Sequence, residues 1–181
     1  MKKTIFAGFG GQGVLLMGYV FAVAAMKDGK NVTYLPSYGA EMRGGTANCT
    51  VAVSDDEIFS PVASTPDYAV IMNKPSLAKY ENMMKSGGML FINSSIIPQG
   101  LFRSDLAAVR IPANDIAREV GSDRVVNMIM LGASTEKTRL TSLESIISSL
   151  QENVKAKSAS VMKLNKKALY RGAEYVSRGN E

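Results

Sequence analysis

The first 26 residues contain two apolar segments separated by a cluster of glycines, and residues 4–26 carry no charge. Residues 4–7 have the length and apolar character of a buried parallel strand. Residues 14–26 are apolar around most of the circumference of a helix, and the polar residues 27–29 supply its end. The pattern therefore predicts a β-turn-α unit with the glycines in the turn.

A signal peptide or a membrane span would also explain an uncharged run that follows the start "MKK", with "AVA" at residues 22–24 as a cleavage site. Four of the six residues from Gly8 to Gly13 are glycine. Each glycine costs about 1 kcal/mol in a helix interior relative to alanine. The glycine density therefore disfavours a continuous apolar helix, and no membrane association is predicted.

Gly8, Gly10 and Gly13 match the pattern G-x-G-x-x-G, in which a tight turn brings backbone N–H groups and a helix N-terminus close to a diphosphate. A nicotinamide or flavin site also needs an acidic residue at the end of the second strand. The predicted second strand, residues 31–35, has none, and Glu41 follows only within a loop. The turn is therefore predicted to face another anion or a protein partner.

A second glycine-rich loop, "PSYGAEMRGG" at residues 36–45, follows the second strand. In a parallel sheet it would emerge beside the first turn, at the edge where ligands bind in open α/β sheets. Arg43 could pair there with a phosphate or a carboxylate. Alternatively, Arg43 could pin the loop to Glu41 or to another subunit.

The rest of the chain alternates predicted strands and helices. Residues 46–53 are expected to form an antiparallel hairpin with a return strand that begins at Ile58 and Phe59. We predict a single α/β domain over residues 1–181, with three layers, a mostly parallel sheet flanked by helices, an antiparallel hairpin near one edge, and C-terminal helices. The further predicted strands are residues 68–72, 89–93 and 107–111. One predicted helix is capped near Asn114 and ends at residue 121. The other predicted helices are residues 75–85, 125–135, 142–154 and 159–178.

The chain has no histidine, and Cys49 is its one cysteine. This composition excludes an intrachain disulfide, a Cys/His zinc site, a cysteine-ligated iron–sulfur cluster and a histidine-based triad within the chain. Cys49 is predicted to be a core residue in a reducing, cytoplasmic compartment. The consecutive acids 55–57 are interpreted as a solvated turn, so no metal site is predicted.

The net charge of +5 comes entirely from the end of the chain. Residues 1–154 carry 14 basic and 14 acidic side chains, whereas residues 155–181 carry seven and two. This imbalance fits a solvated face of a terminal helix, and a basic surface for an acidic partner is the alternative. Nucleic-acid binding is not predicted, because the aromatic and basic motifs that would indicate it are missing.

Three stretches together, "GFGGQGV", "PSYGAEMRGGTANCTVAVSDDEIFSP" and "INSSII", resemble the gamma subunit of the 2-oxoacid:ferredoxin (acceptor) oxidoreductases. The resemblance runs from about Ile5 to the C-terminal helices. The segment "SYGAEMRGGTANC" resembles the 2-oxoglutarate and branched-chain types more closely than the pyruvate type.

The resemblance implies a complex that decarboxylates a 2-oxoacid, such as 2-oxoglutarate, on thiamine diphosphate and transfers the acyl group to coenzyme A. Electrons would pass through iron–sulfur clusters to ferredoxin or flavodoxin. With one cysteine and no thiamine-binding pattern, this chain would have no catalytic residue. Thiamine diphosphate, Mg and the clusters would lie on alpha, beta and delta (ferredoxin-like) partners.

The resemblance leaves assembly and part of the coenzyme A surface to the gamma chain. The candidate cofactor-binding residues lie in the two glycine-rich loops: Gly10, Gly11, Gln12, Gly13, Ser37, Tyr38, Arg43, Gly44 and Gly45. Two alternatives stay open. The loops could be a purely structural scaffold without ligand contact, or the chain could be a stand-alone nucleotide-binding reductase.

Overall fold

The computed structural model describes residues 1–38, 45–62, 64–98, 100–101, 103–153 and 158–179. Short 3₁₀ turns occupy Glu81–Met83 and Asp123–Val125. The strands and helices, in chain order, are β1 (Lys2–Phe9), α1 (Val14–Lys27), β2 (Asn31–Tyr38), β3 (Thr46–Ser54), β4 (Tyr68–Ile71), α2 (Lys74–Tyr80), β5 (Met89–Asn93), β6 (Ala107–Ile111), α3 (Ala113–Val120), α4 (Val126–Thr138), α5 (Leu143–Asn153) and α6 (Ala159–Ser177).

The six strands form one sheet in the order β2-β3-β1-β4-β5-β6. Strands β1, β4, β5 and β6 are parallel to one another, whereas β3 runs antiparallel to both of its neighbours. Alternate residues of β1 enter two separate cores: Phe6 packs with α1, and Ile5 and Ala7 pack with α2. Helices therefore cover both faces, and the predicted three-layer α/β fold is confirmed.

The predicted hairpin partner of residues 46–53 is wrong. Ile58 and Phe59 lie outside any strand, and the Phe59 side chain is 91% exposed. β3 instead pairs with β2, which ends at Tyr38, and also with β1, so both of its edges are hydrogen-bonded. Because two antiparallel pairings separate β2 from β1, these two strands run parallel, and their carboxyl ends lie at the same end of the sheet.

Cys49 lies in β3 and is fully buried, as predicted. Burial raises the pKa of its thiol to about 12. Since the thiolate is the nucleophilic form, this cysteine is an apolar core residue and not a reactive group. No described helix combines the length and apolar character that crossing a bilayer requires.

Helices α4 and α6 cross at unusually close range. A Cβ built on Gly132 of α4 would lie 2.0 Å from the Leu169 carbonyl oxygen of α6, and one built on Gly172 of α6 would lie 2.0 Å from the Ile129 carbonyl oxygen of α4. Only residues without a side chain allow the two backbones to approach this closely. This contact holds the C-terminal helix against the helix that borders the candidate site.

Three predicted helices have different boundaries in the structure, and α4 ends three residues later than predicted, at Thr138. α2 ends at Tyr80 and passes into a 3₁₀ turn, although its predicted helix continued to residue 85. α3 begins directly after Pro112 without a side-chain cap, so Asn114 does not have the capping role predicted for it. Its side chain hydrogen-bonds within the site described below.

Candidate functional site

The glycine turn, residues 10–13, joins the end of β1 to the start of α1. The Gly10 N–H donates to the Gly45 carbonyl at 2.9 Å, so the turn touches the end of the second glycine-rich loop. Gly11 and Gly13 have φ of +96° and +73°, values that favour glycine. A Cβ at Gly13 would also lie 2.3 Å from Asn127 Nδ2 at the start of α4. The turn therefore lies between the residue that precedes β3 and the start of α4.

The Gln12 side chain closes this turn from within. Its Oε1 accepts a hydrogen bond from the Phe9 N–H at 2.7 Å, and its Nε2 donates to the Met72 carbonyl at 3.3 Å. These bonds connect the end of β1 with the end of β4. The structure thus gives Gln12 a role in shaping the turn, which the sequence did not reveal.

α1 begins with unpaired backbone donors. Gly13 precedes it without a side-chain cap, and its first turn contains no acidic residue. Within the described residues, the N–H groups of Leu15 and Leu16 have no hydrogen-bond acceptor. Unpaired donors and the positive end of the helix dipole together favour an anion at this position.

An apolar pocket of about 500 Å³ lies on the β3 side of the turn. It brings together the glycine turn, the first turn of α1 and the beginning of β3. Its lining residues are Phe9, Gly10, Gly11, Gly13, Val14, Leu15, Leu16, Gly45, Thr46 and Ala47. The predicted proximity of the two glycine-rich loops is confirmed here by Gly45.

A polar pocket of about 240 Å³ lies on the other side of the same turn. Its lining residues are Gly11, Gln12, Gly13, Met72, Asn93, Ile96, Asn114, Asp123, Arg124, Val126 and Asn127. The carboxyl ends of β1, β4 and β5 meet at this pocket, and the chain leaves β1 and β4 in opposite directions along the sheet. Such a switch point is where open α/β sheets characteristically bind ligands.

Three asparagines from separate elements define the polar pocket. Asn93 ends β5, and its Nδ2 donates to Asn114 Oδ1 of α3 at 2.8 Å. Asn127 Oδ1 accepts from the Met128 N–H at 3.0 Å at the start of α4. None of the three was predicted as a site residue. Asn93, directly after the apolar run "MLFI", could have been found from the rule that ligands bind beyond strand carboxyl ends.

The remaining predicted residues are less close to the turn or lie outside the described residues. The predicted end of the second strand at residue 35 is wrong, because β2 continues to Tyr38 and takes the first three residues of the predicted loop. Ser37 is therefore an exposed strand residue opposite Asn48, and it lines neither pocket. Tyr38 is the last residue of β2, opposite Ala47 of β3. Arg43 and Gly44 fall outside the described residues. The described residues contain no group of three or more His, Cys, Asp or Glu side chains suited to a metal ion.

Residues 3–175 match the family model described as pyruvate ferredoxin/flavodoxin oxidoreductase. The chain belongs to this family. The sequence resemblance to the gamma subunits of 2-oxoacid:ferredoxin oxidoreductases is thereby confirmed, and two curated relatives and one solved structure support it.

The ketoisovalerate oxidoreductase subunit VorA of Methanothermobacter thermautotrophicus is 36% identical over 97% of this chain. The chain spans only 36% of the length of that relative. The 2-oxoglutarate synthase subunit KorC of Methanothermobacter marburgensis is 36% identical over 85% of this chain and 87% of its own length. The same unit therefore occurs both within a longer chain and as nearly the whole of a shorter one.

Among solved structures, the keto/oxoacid ferredoxin oxidoreductase gamma subunit of Geobacter sulfurreducens matches with a TM-score of 0.84 and 28% identity, over 98% of this chain and 99% of its own. The 2-oxoglutarate:ferredoxin oxidoreductase of Magnetococcus marinus, solved with 2-oxoglutarate, coenzyme A and succinyl-CoA, matches with a TM-score of 0.88. It is 24% identical, and the match covers 98% of this chain and 31% of that chain. The second match shows a common fold.

Proposed function

We propose that this chain is the gamma subunit of a 2-oxoacid:ferredoxin oxidoreductase and forms part of its coenzyme A site. The complex would oxidatively decarboxylate a 2-oxoacid to an acyl-CoA in the cytoplasm. Alpha, beta and delta partners would hold thiamine diphosphate, Mg and the iron–sulfur clusters, and ferredoxin or flavodoxin would accept the electrons. This chain contributes binding and assembly, because one cysteine and no histidine leave it without ligands for a cluster.

The coenzyme A assignment rests on one observation: the backbone N–H groups at the start of α1 are unpaired and lie beside an apolar pocket. Coenzyme A combines a diphosphate with a long, weakly polar pantetheine arm. The N–H groups at the start of α1 suit the diphosphate, and the pocket bordered by Phe9, Leu16 and Ala47 suits the arm. The Magnetococcus protein of the same fold has coenzyme A bound.

Arg43, Gly44 and Gly45 are proposed to hold a second anionic group of coenzyme A, with Ser37 and Tyr38 at the base of their loop. Gly45 supports this arrangement, because its carbonyl is hydrogen-bonded to Gly10 in the glycine turn. We propose 2-oxoglutarate as the first substrate to test, since the relative that this chain matches over 87% of its length is a 2-oxoglutarate synthase subunit.

A purely structural role is the competing function, and three hydrogen bonds favour it. The Gly10 N–H and both ends of the Gln12 amide are already hydrogen-bonded inside the chain. These hydrogen bonds shape the turn whether or not a ligand binds. The two functions differ in what they predict for coenzyme A saturation of the assembled enzyme.

The experiment is a measurement of kcat and KM for coenzyme A in the complex purified with its native partners. Losing a hydrogen bond to a charged group costs about 1.5–3 kcal/mol, so Arg43→Ala should raise KM for coenzyme A at least about tenfold. Arg178→Ala, which removes an arginine paired with Glu174 in the last turns of the chain, is the control and should leave KM unchanged. An unchanged KM in Arg43→Ala would support the scaffold.

The same purification tests the assembly. Thiamine-binding and ferredoxin-like chains should co-purify with this subunit from the native source. Purification of the chain alone, with full activity in a partner complex that lacks it, would overturn the proposed role.

A further inference from the structure

The outer face of α6 is strongly basic. Three lysines, Lys163, Lys166 and Lys167, lie within an arc of about 100° around the helix axis. Tyr170 lies inside the same arc, one turn further along, and its side chain is 50% exposed. Lys163 and Lys167 are exposed, and Lys166 is partly exposed. We call these four residues the lysine face.

The positive charge of this face is not needed for the stability of α6. Lys163 and Lys166 form no ion pair or hydrogen bond with a described residue, and the Lys167 ammonium donates to the Val120 carbonyl at 3.5 Å. Like charges three and four residues apart destabilise a helix. The first turn of α6 contains no acidic residue, so the positive end of the helix dipole adds to the same charge. The lysines therefore call for a partner outside the described chain.

The acidic side chains around the lysine face do not supply that partner. Each acidic side chain of α6, of α3 and of the 3₁₀ turn that packs on α6 forms an ion pair with an arginine, and the one near the end of α5 pairs with a lysine of α1. The pairs are Glu174 and Glu119 with Arg171, at 3.7 and 2.7 Å, Asp115 and Asp123 with Arg118, at 2.8 and 3.8 Å, and Glu152 with Lys27, at 2.6 Å. These groups leave the charge of the lysine face intact.

The composition of the lysine face indicates the kind of partner that fits it. Lysine is depleted in protein interfaces, whereas complementary charges speed the encounter of partners that bind and leave. Weak electron-transfer encounters have among the smallest interfaces. Tyrosine is enriched among the residues that anchor an interface, and Tyr170 offers such an anchor among the lysines. The face therefore suits a transient protein partner with an acidic surface, and not a permanent subunit.

We propose that the lysine face of α6 docks the acidic surface of the protein that accepts the electrons. The inference rests on the proposed function, in which the acceptor is ferredoxin or flavodoxin. A cluster held by cysteine thiolates has a net negative charge, which the lysines attract. This chain cannot hold a cluster with its one cysteine, so its part is to steer the acceptor and raise the rate of encounter with the complex.

The test is the reduction of ferredoxin by the complex purified with its native partners. Lys163→Glu combined with Lys167→Glu should lower kcat/KM for ferredoxin at least about tenfold at about 0.01 M salt, where charges interact over about 30 Å. At about 0.15 M salt that range falls to about 8 Å, so the difference should shrink. The rate with methyl viologen, a small acceptor that needs no protein docking, and KM for coenzyme A should stay unchanged.

A matched control separates docking from a change in net charge. Lys74→Glu combined with Lys79→Glu makes the same charge change at exposed residues of α2, which packs on the opposite face of the sheet. This variant should reduce ferredoxin like the unmodified complex. Tyr170→Ala should raise KM for ferredoxin at both salt concentrations, because salt does not screen the loss of an aromatic contact.

Three outcomes would overturn the docking face. They are an unchanged kcat/KM for ferredoxin in the α6 double variant, an equal loss in the α2 control, and failure of the α6 double variant to assemble, which would assign the face to a permanent subunit. A complex that contains the unmodified chain but reduces neither ferredoxin nor methyl viologen would instead refute the proposed function. Reduction of methyl viologen with unaltered ferredoxin kinetics in the α6 double variant would refute only the docking face.

Discussion

Replacing Gly13 with alanine should destabilise the protein by two separable effects. The residue has φ of +73°, which costs a side chain-bearing residue about 1–2 kcal/mol. The new Cβ would also lie 2.3 Å from Asn127 Nδ2, well inside contact distance, so the amide must move. Moving it breaks the 3.0 Å hydrogen bond from Met128 N–H to Asn127 Oδ1, worth about 1 kcal/mol.

We therefore expect Gly13→Ala to lower the free energy of unfolding by about 2–3 kcal/mol. Gly29→Ala is the matched control, because Gly29 has φ of +77° and nothing within 4 Å of the added Cβ. It should lose only the backbone cost of about 1–2 kcal/mol. The difference between the two variants measures the contact with Asn127.

The assay is urea unfolding followed by circular dichroism, with thermal unfolding as a check. For a domain of this size, each kcal/mol corresponds to about 2–4 °C in Tm. In a double-mutant cycle, Asn127→Ala should remove the clash, so the double variant should be more stable than the sum of the single effects by about 1 kcal/mol. Equal losses for Gly13→Ala and Gly29→Ala, with an additive double variant, would refute the close approach between the glycine turn and α4.

Three further predictions concern the packing, the thiol and one carboxylate. Gly132→Ala should lower the free energy of unfolding in urea by about 2 kcal/mol, because overpacking against an α6 carbonyl outweighs the gain of about 1 kcal/mol in helix propensity. Gly100→Ala is the control and should be nearly neutral, since the added Cβ would have open space around it. Cys49, with its thiol pKa raised to about 12 by burial, should resist a disulfide reagent at pH 8 until urea unfolds the chain. For Asp28, burial raises the pKa, but hydrogen bonds from the start of α5 outweigh it and hold the pKa below 3.8. The stability that this carboxylate adds is therefore present above pH 3.8 and lost as the pH falls through the lowered pKa. In urea unfolding, Asp28→Asn should be less stable than the unmodified chain at pH 7, and the difference should disappear in acid.

The β-turn-α unit was predictable because its signals are local. A strand with an apolar centre, a turn that needs glycine at positive φ and an apolar helix ended by polar residues follow one another within 30 residues. Observed α1 differs from its predicted range by one residue. The lack of histidine and the single cysteine likewise follow from composition alone, and they limit the chemistry open to the chain.

Strand pairing was not determined locally. The alternation in residues 46–53 predicts a strand equally well at an edge or inside a sheet, since side-chain periodicity carries no information about which backbone supplies the hydrogen bonds. The tertiary structure placed β3 between β1 and β2. That insertion brings Gly45 against Gly10 and forms the apolar pocket.

The sequence by itself determined the fold class, the glycine turn and the family to which the chain belongs. Only the tertiary structure decided that Gln12 is held between β1 and β4, and that Asn93, Asn114 and Asn127 meet around one polar pocket. These asparagines are 13 to 34 residues apart, and nothing in their immediate neighbours marks them as partners. They converge because parallel strands end at a common edge of the sheet, a property of the assembled sheet and not of any single segment.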